Sequence, residues 1–131
     1  MKRTTIFRIL TFIYVVVVGV LCFANFRSIP IAPGKFLGID ADKVVHFFMF
    51  FPFPILMYFS LPMEKKRLGP VLGIIVLIFA VGCLLAGCTE YVQGKLPYRT
   101  MDINDFKADM LGMLLASLIT FLIRLFTHKN A

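Results

Sequence analysis

Four apolar blocks, each about as long as a lipid bilayer is thick, constrain this chain more than any other feature. They run from Ile6 to Ala24, Val44 to Leu61, Leu68 to Cys88 and Met110 to Phe126. A helix rises about 1.5 Å per residue, so each block reaches close to the ~30 Å of a hydrocarbon core. An open strand would leave backbone groups unpaired in lipid, so helices are the expected solution. The expected fold is all-α: a polytopic membrane protein with four transmembrane helices in a bundle. The helices are expected at about 6–25, 43–61, 68–92 and 105–126 within a single domain, residues 1–131.

Composition agrees with the blocks. Sixty per cent of the 131 residues are apolar and 16% are charged. A soluble domain carries fewer apolar and more charged residues, and 15 Phe argue against a disordered chain. A formal net charge of +7 often marks nucleic-acid binding. Here the basic residues cluster at block ends, where they report orientation instead, and no nucleic-acid partner is expected.

The first block, after Lys2, Arg3 and Arg8, has the outline of a signal peptide. Its far end, Val20-Leu21-Cys22-Phe23-Ala24, lacks a small-x-small cleavage pattern, so a retained helix is expected. Cys22, Cys83 and Cys88 lie in or beside apolar blocks without a pattern of metal-binding pairs, and read as packing residues.

Charge asymmetry sets the expected orientation. Lys2, Arg3, Arg8, Lys65, Lys66, Arg67, Arg124 and Lys129, eight of the 14 cations, fall on one side with only Glu64 as an acid. That side, with both termini, is assigned to the cytoplasm by the positive-inside rule. The opposite side carries the other six acids, Asp40, Asp42, Glu90, Asp102, Asp105 and Asp109. Its longer connection, Phe26 to Ala41, is broken by Pro30, Pro33-Gly34 and Gly38 and is expected to lie on the membrane surface.

Several polar residues on that side repeat at helical spacing. Asp42 and His46 are four apart, Glu90 and Gln93 three apart, and Asp105 and Asp109 four apart with Gly112 continuing the stripe. Packed helices would let these stripes converge with Arg99 on one outward pocket, because ionisable groups near lipid turn inward to partners. Plainer roles stand beside this one. Asp102 with Asp105 resembles a capping box, Asp42 is a candidate cap, and Glu90 with Gln93 can be hydrated groups at a helix end. His46 and Asp109 lie deeper and fit those roles less well. Gly82/Ala86 and Gly112/Ala116 form small faces for close helix contact, and Pro52 and Pro54 should kink the second helix.

At these residues the chain resembles the VanZ-like family of small bacterial membrane proteins. Asp42-Lys43-x-x-His46-Phe47, Glu90-x-x-Gln93, and Arg99 followed by Asp105 and Gly112 carry the resemblance, over roughly residues 40 to 126. The family often has Asn where this chain has Asp109, so the present site gains a negative charge. The resemblance implies a multi-pass protein of the bacterial cytoplasmic (inner) membrane. It also suggests a link to tolerance of the lipid-tailed glycopeptide teicoplanin.

Two functions follow as expectations. In the first, a pocket built from Asp42, Lys43, His46, Glu90, Gln93, Arg99, Asp105 and Asp109 binds a membrane lipid or lipid-tailed glycoconjugate. Arg99, Lys43 and Lys95 would hold its anionic head. In the second, His46, Glu90, Asp105 and Asp109 serve a membrane-embedded hydrolase of a phosphorylated or glycosylated lipid, by acid–base work or with a divalent metal. A proton-coupled transporter is a third, more distant option, and association of like chains is left open.

Overall fold

The computed structural model describes residues 2–23, 35–36, 39–97 and 101–129. Helix α1 spans Arg3–Phe23. A two-residue antiparallel pair follows, β1 (Lys35–Phe36) against β2 (Ile39–Asp40), with Lys35 opposite Asp40 and Phe36 opposite Ile39. Then come α2 (Ala41–Phe50), α3 (Pro52–Phe59), α4 (Leu68–Gln93) and α5 (Ile103–Lys129). Apart from the short pair, the segment expected on the membrane surface lies outside the described residues.

The second expected helix is two helices. Pro52 and Pro54 have no N–H, so the carbonyls of Phe48 and Phe50 lose their helical donors and the ladder is interrupted at Phe51, which stays helical and donates to the Phe47 carbonyl at 3.0 Å. The Tyr14 hydroxyl of α1 donates to the nearby Met49 carbonyl at 2.6 Å. Among the described residues, α1, α4 and α5 are long and apolar enough to cross a membrane, and Lys43–Phe59 is a shorter apolar stretch. Three of the four expected crossings thus have spanning length.

Helix α5 packs against α2, α3 and α4, while α1 leans mainly on α3. The core comprises Met49, Phe50, Phe53 and Tyr58 with Val71, Ile75, Ile78, Ala86 and Met113. The small residues decide how close the helices come. A Cβ on Gly112 would fall on the backbone carbonyl of Phe47, so α5 meets α2 almost backbone to backbone. A Cβ on Gly82 would crowd the Met113 sulfur and the Phe53 ring. Gly82, Ala86, Gly112 and Ala116 are all buried, as small helix-facing residues should be. Most of α1 faces outward with apolar side chains such as Phe12 and Val20.

The two ends of the bundle are polar in different ways. At the end holding the 61–67 turn, the buried Arg124 guanidinium donates to the carbonyls of Met63, Glu64 and Lys66, each at 3.2 Å. Arg8 donates to the Ser60 carbonyl, Thr11 meets the Ser60 hydroxyl, and Arg3 pairs with Glu64 at 2.7 Å. The opposite end holds the acidic cluster.

Candidate functional site

The cluster forms where the start of α2, the end of α4 and the start of α5 meet. Asp102 begins α5 as its cap: its Oδ1 accepts the Asn104 N–H at 2.9 Å. In a reciprocal capping box the Asp105 carboxylate would return to the Asp102 N–H. That N–H instead donates to Glu90 Oε2 of α4 at 3.3 Å, and the Asp105 carboxylate is released to face α2. One turn further, Asp109 lies on the same side of α5, and the Gly112 contact brings this side against α2.

Lys43 and His46, three apart on α2, meet that acidic stripe. The Lys43 ammonium donates to Asp102 Oδ2 at 2.7 Å and to Asp105 Oδ1 at 2.5 Å. This ammonium, together with the Asn104 N–H, holds the Asp102 carboxyl below the usual aspartate range. The His46 ring lies among three carboxylates. Its Nδ1 is 2.9 Å from Asp109 Oδ1 and 3.7 Å from Glu90 Oε1, and its Nε2 is 3.5 Å from Asp105 Oδ2. Relative exposure is 0% for Asp109, 4% for Glu90 and 9% for His46. Even so, Asp109 Oδ2 and Glu90 Oε1 have no hydrogen-bond donor among the described residues.

Of the residues singled out from sequence, Lys43, His46, Glu90, Asp105 and Asp109 therefore come together. Gln93 is turned elsewhere: its amide donates to the Cys22 carbonyl at 2.8 Å and fastens α4 to α1. Lys95 sits over the exposed Tyr91 ring, 5.0 Å from its centre. The Asp42 side chain and Arg99 lie outside the described residues. Lys43, expected to hold an anionic headgroup, is engaged by two aspartates instead. Sequence reading gave Asp102 only a capping role, and its spacing from Asp105 gave no sign that one lysine from another helix would bridge the two. His46, Glu90 and Asp109 each offer one donor atom, all within 4.8 Å of one another. Such a group can pass protons, activate water or hold a cation.

The chain matches the family model described as VanZ/LLP1 over residues 4–124, nearly its whole length. It is also 34% identical, over 82 residues, to "Uncharacterized protein C11E3.10" of Schizosaccharomyces pombe (strain 972 / ATCC 24843). That match covers 62% of this chain and 47% of the yeast protein, so the chain spans about half the length of this curated relative. No solved structure matches. Three spanning-length apolar helices together with the family match mark a multi-pass membrane protein.

Proposed function

We propose that this chain, which belongs to the VanZ/LLP1 family, is a membrane-embedded hydrolase of a phosphorylated or glycosylated lipid. The supporting observation is His46, buried with carboxylates against both ring nitrogens, in a cluster where acids outnumber bases among the described residues. A group built only to hold the helices together needs matched charges. Among the described residues, the lysine of the cluster, Lys43, serves Asp102 and Asp105. What remains suits proton transfer: Asp105 orients the ring, and a buried carboxylate oxygen that has no donor among the described residues, Asp109 Oδ2 or Glu90 Oε1, takes a proton from water attacking the phosphoryl or glycosyl centre. The same proton then passes to the departing oxygen as the bond to the lipid or headgroup breaks.

In this reading α2 and α3 together make a broken fourth crossing, and both termini lie in the cytoplasm with the Lys65-Lys66-Arg67 turn. The cluster then opens on the outer leaflet of a bacterial inner membrane, where envelope lipids carry their headgroups. Val45 and Phe48, exposed beside His46 on α2, would meet the acyl chains.

The test uses purified protein in nanodiscs with a lipid monophosphate, a lipid diphosphate and a glycolipid, supplied with Mg²⁺, Mn²⁺ or Zn²⁺. Release of phosphate or sugar is expected, falling by about 10²–10⁴-fold in His46→Gln. Saturable lipid or teicoplanin binding with no release under any condition would overturn the hydrolase. It would favour a non-catalytic lipid-binding protein linked to glycopeptide tolerance.

A further inference from the structure

We infer that His46, Glu90 and Asp109 form a binding site for one divalent transition-metal ion of the manganese–zinc class, with Asp105 as the outer carboxylate that orients the imidazole. The inference rests on the same cluster as the hydrolase reading, but it concerns cation binding and not turnover.

Charge is the first ground. Asp102 and Asp105 share Lys43, which among the described residues leaves Glu90 and Asp109 with the imidazole alone between them. Two buried carboxylates facing one another through a single ring carry excess negative charge in an apolar surround, and a bound cation relieves it. The second ground is independent of that tally. Asp109 Oδ2 and Glu90 Oε1 belong to side chains 0% and 4% exposed and have no donor among the described residues. An oxygen shut away from water without a partner is costly, and a metal is a partner that brings no hydrogen.

The ring geometry gives the third ground. Metal-binding histidine commonly donates its remote N–H to a carboxylate, which fixes the tautomer and aims the other nitrogen at the ion. Here Nε2 faces Asp105 Oδ2, and Lys43 holds that aspartate by its other oxygen. With the proton on Nε2, the Nδ1 lone pair points toward Asp109 and Glu90. Donors bound to one ion at about 2.0–2.2 Å stand at most about 4.4 Å apart. The three donor atoms here lie within 4.8 Å of one another, so a small contraction closes the shell. One imidazole with two carboxylates suits manganese or zinc better than calcium, which takes oxygen donors. Three protein ligands leave positions open for water or a phosphoryl oxygen.

The test is Mn²⁺ binding by the full chain, purified in detergent and stripped with EDTA, followed by the loss of the free-ion electron paramagnetic resonance signal. One equivalent should bind, be displaced by Zn²⁺, and raise the unfolding temperature. Glu90→Gln and Asp109→Asn should each lose affinity more than tenfold. Asp105→Asn should weaken binding about 10–100-fold while keeping one ion per chain, as outer-carboxylate losses do. Glu64→Gln, at the far end, should change nothing. Folding of each variant is read from its metal-free unfolding transition. Folded wild-type protein that binds neither ion saturably would overturn the inference, as would binding that persists in the Glu90→Gln/Asp109→Asn double variant. Turnover that survives EDTA with no ion bound would overturn the metal site and leave the hydrolase standing. A bound ion without turnover would do the reverse.

Discussion

Both ends of the bundle bury charged side chains, and they do so by opposite rules. At the end holding the 61–67 turn, Arg124 is 7% exposed and its guanidinium meets three backbone carbonyls. Those carbonyls belong to a turn whose backbone would otherwise need other donors, so cation and turn satisfy each other. At the opposite end, acids gather against acids, with one lysine and one imidazole to separate them. The first arrangement is a clamp in which one cation closes a turn, with Arg124 Nε left over without an acceptor among the described residues. The second concentrates carboxylates around one ring, and on that difference in charge it is assigned the chemistry.

The sharpest probe of this contrast is Gly112→Val. Two extra methyl groups, beyond a Cβ that already strikes the Phe47 carbonyl, must push α5 off α2 and carry Asp109 away from His46. Overpacking of this kind costs about 3 kcal/mol. A large fall in unfolding temperature and loss of turnover should appear together. A variant that keeps both would show that the acidic end does not depend on this contact.

Next in size is Arg124→Met, which keeps the stem and removes the guanidinium. Hydrogen bonds from a charged donor are worth about 1.5–3 kcal/mol, so a loss of roughly 2 kcal/mol in denaturant unfolding is expected. Turnover per folded molecule should stay within about two-fold of wild type, a small step in transition-state energy. A well-folded Arg124→Met protein without activity would break the division between clamp and site.

The smallest effect concerns Asp102. Its carboxyl titrates below the ordinary aspartate value of about 3.9 because Lys43 and the Asn104 N–H favour the charged form. Its stabilisation is therefore complete above that value and is lost as pH falls through the lower folded value. Unfolding followed between pH 5 and pH 2 should show a shallower acid limb in Asp102→Asn. Identical limbs would mean that the lysine bridge contributes nothing to the folded state.

Much of this was legible in the sequence, and the rest was not for definite reasons. Block length placed α1, α4 and α5, since hydropathy over some twenty residues leaves a helix no rival in lipid. Spacing of four placed Asp105 and Asp109 on one face of α5, and the structure brings that face to His46. Whether such faces meet depends on helix rotation, which Gly112 sets through a backbone contact that no local pattern encodes. Lys43 was read as a headgroup ligand because a cation at a membrane boundary so often is one, and its aspartate partners come from 59 and 62 residues away. Gln93 shares a helix with Glu90 but answers to α1. Pro52 and Pro54 announced a kink, and the structure shows what it consists of: Phe51 still donates to the Phe47 carbonyl, while two carbonyls close together lose their backbone donors. Arg124 stood in plain view inside an apolar run, and only the fold shows it closing a turn.

The proline step bears on the surrounding lipid. Without the donors that Pro52 and Pro54 cannot supply, the carbonyls of Phe48 and Phe50 need partners from elsewhere. Hydrocarbon has none to give, so such carbonyls draw on neighbouring helices or on ordered water. If α2 and α3 cross the bilayer together, the step between them should hold water at a depth where the other helices exclude it.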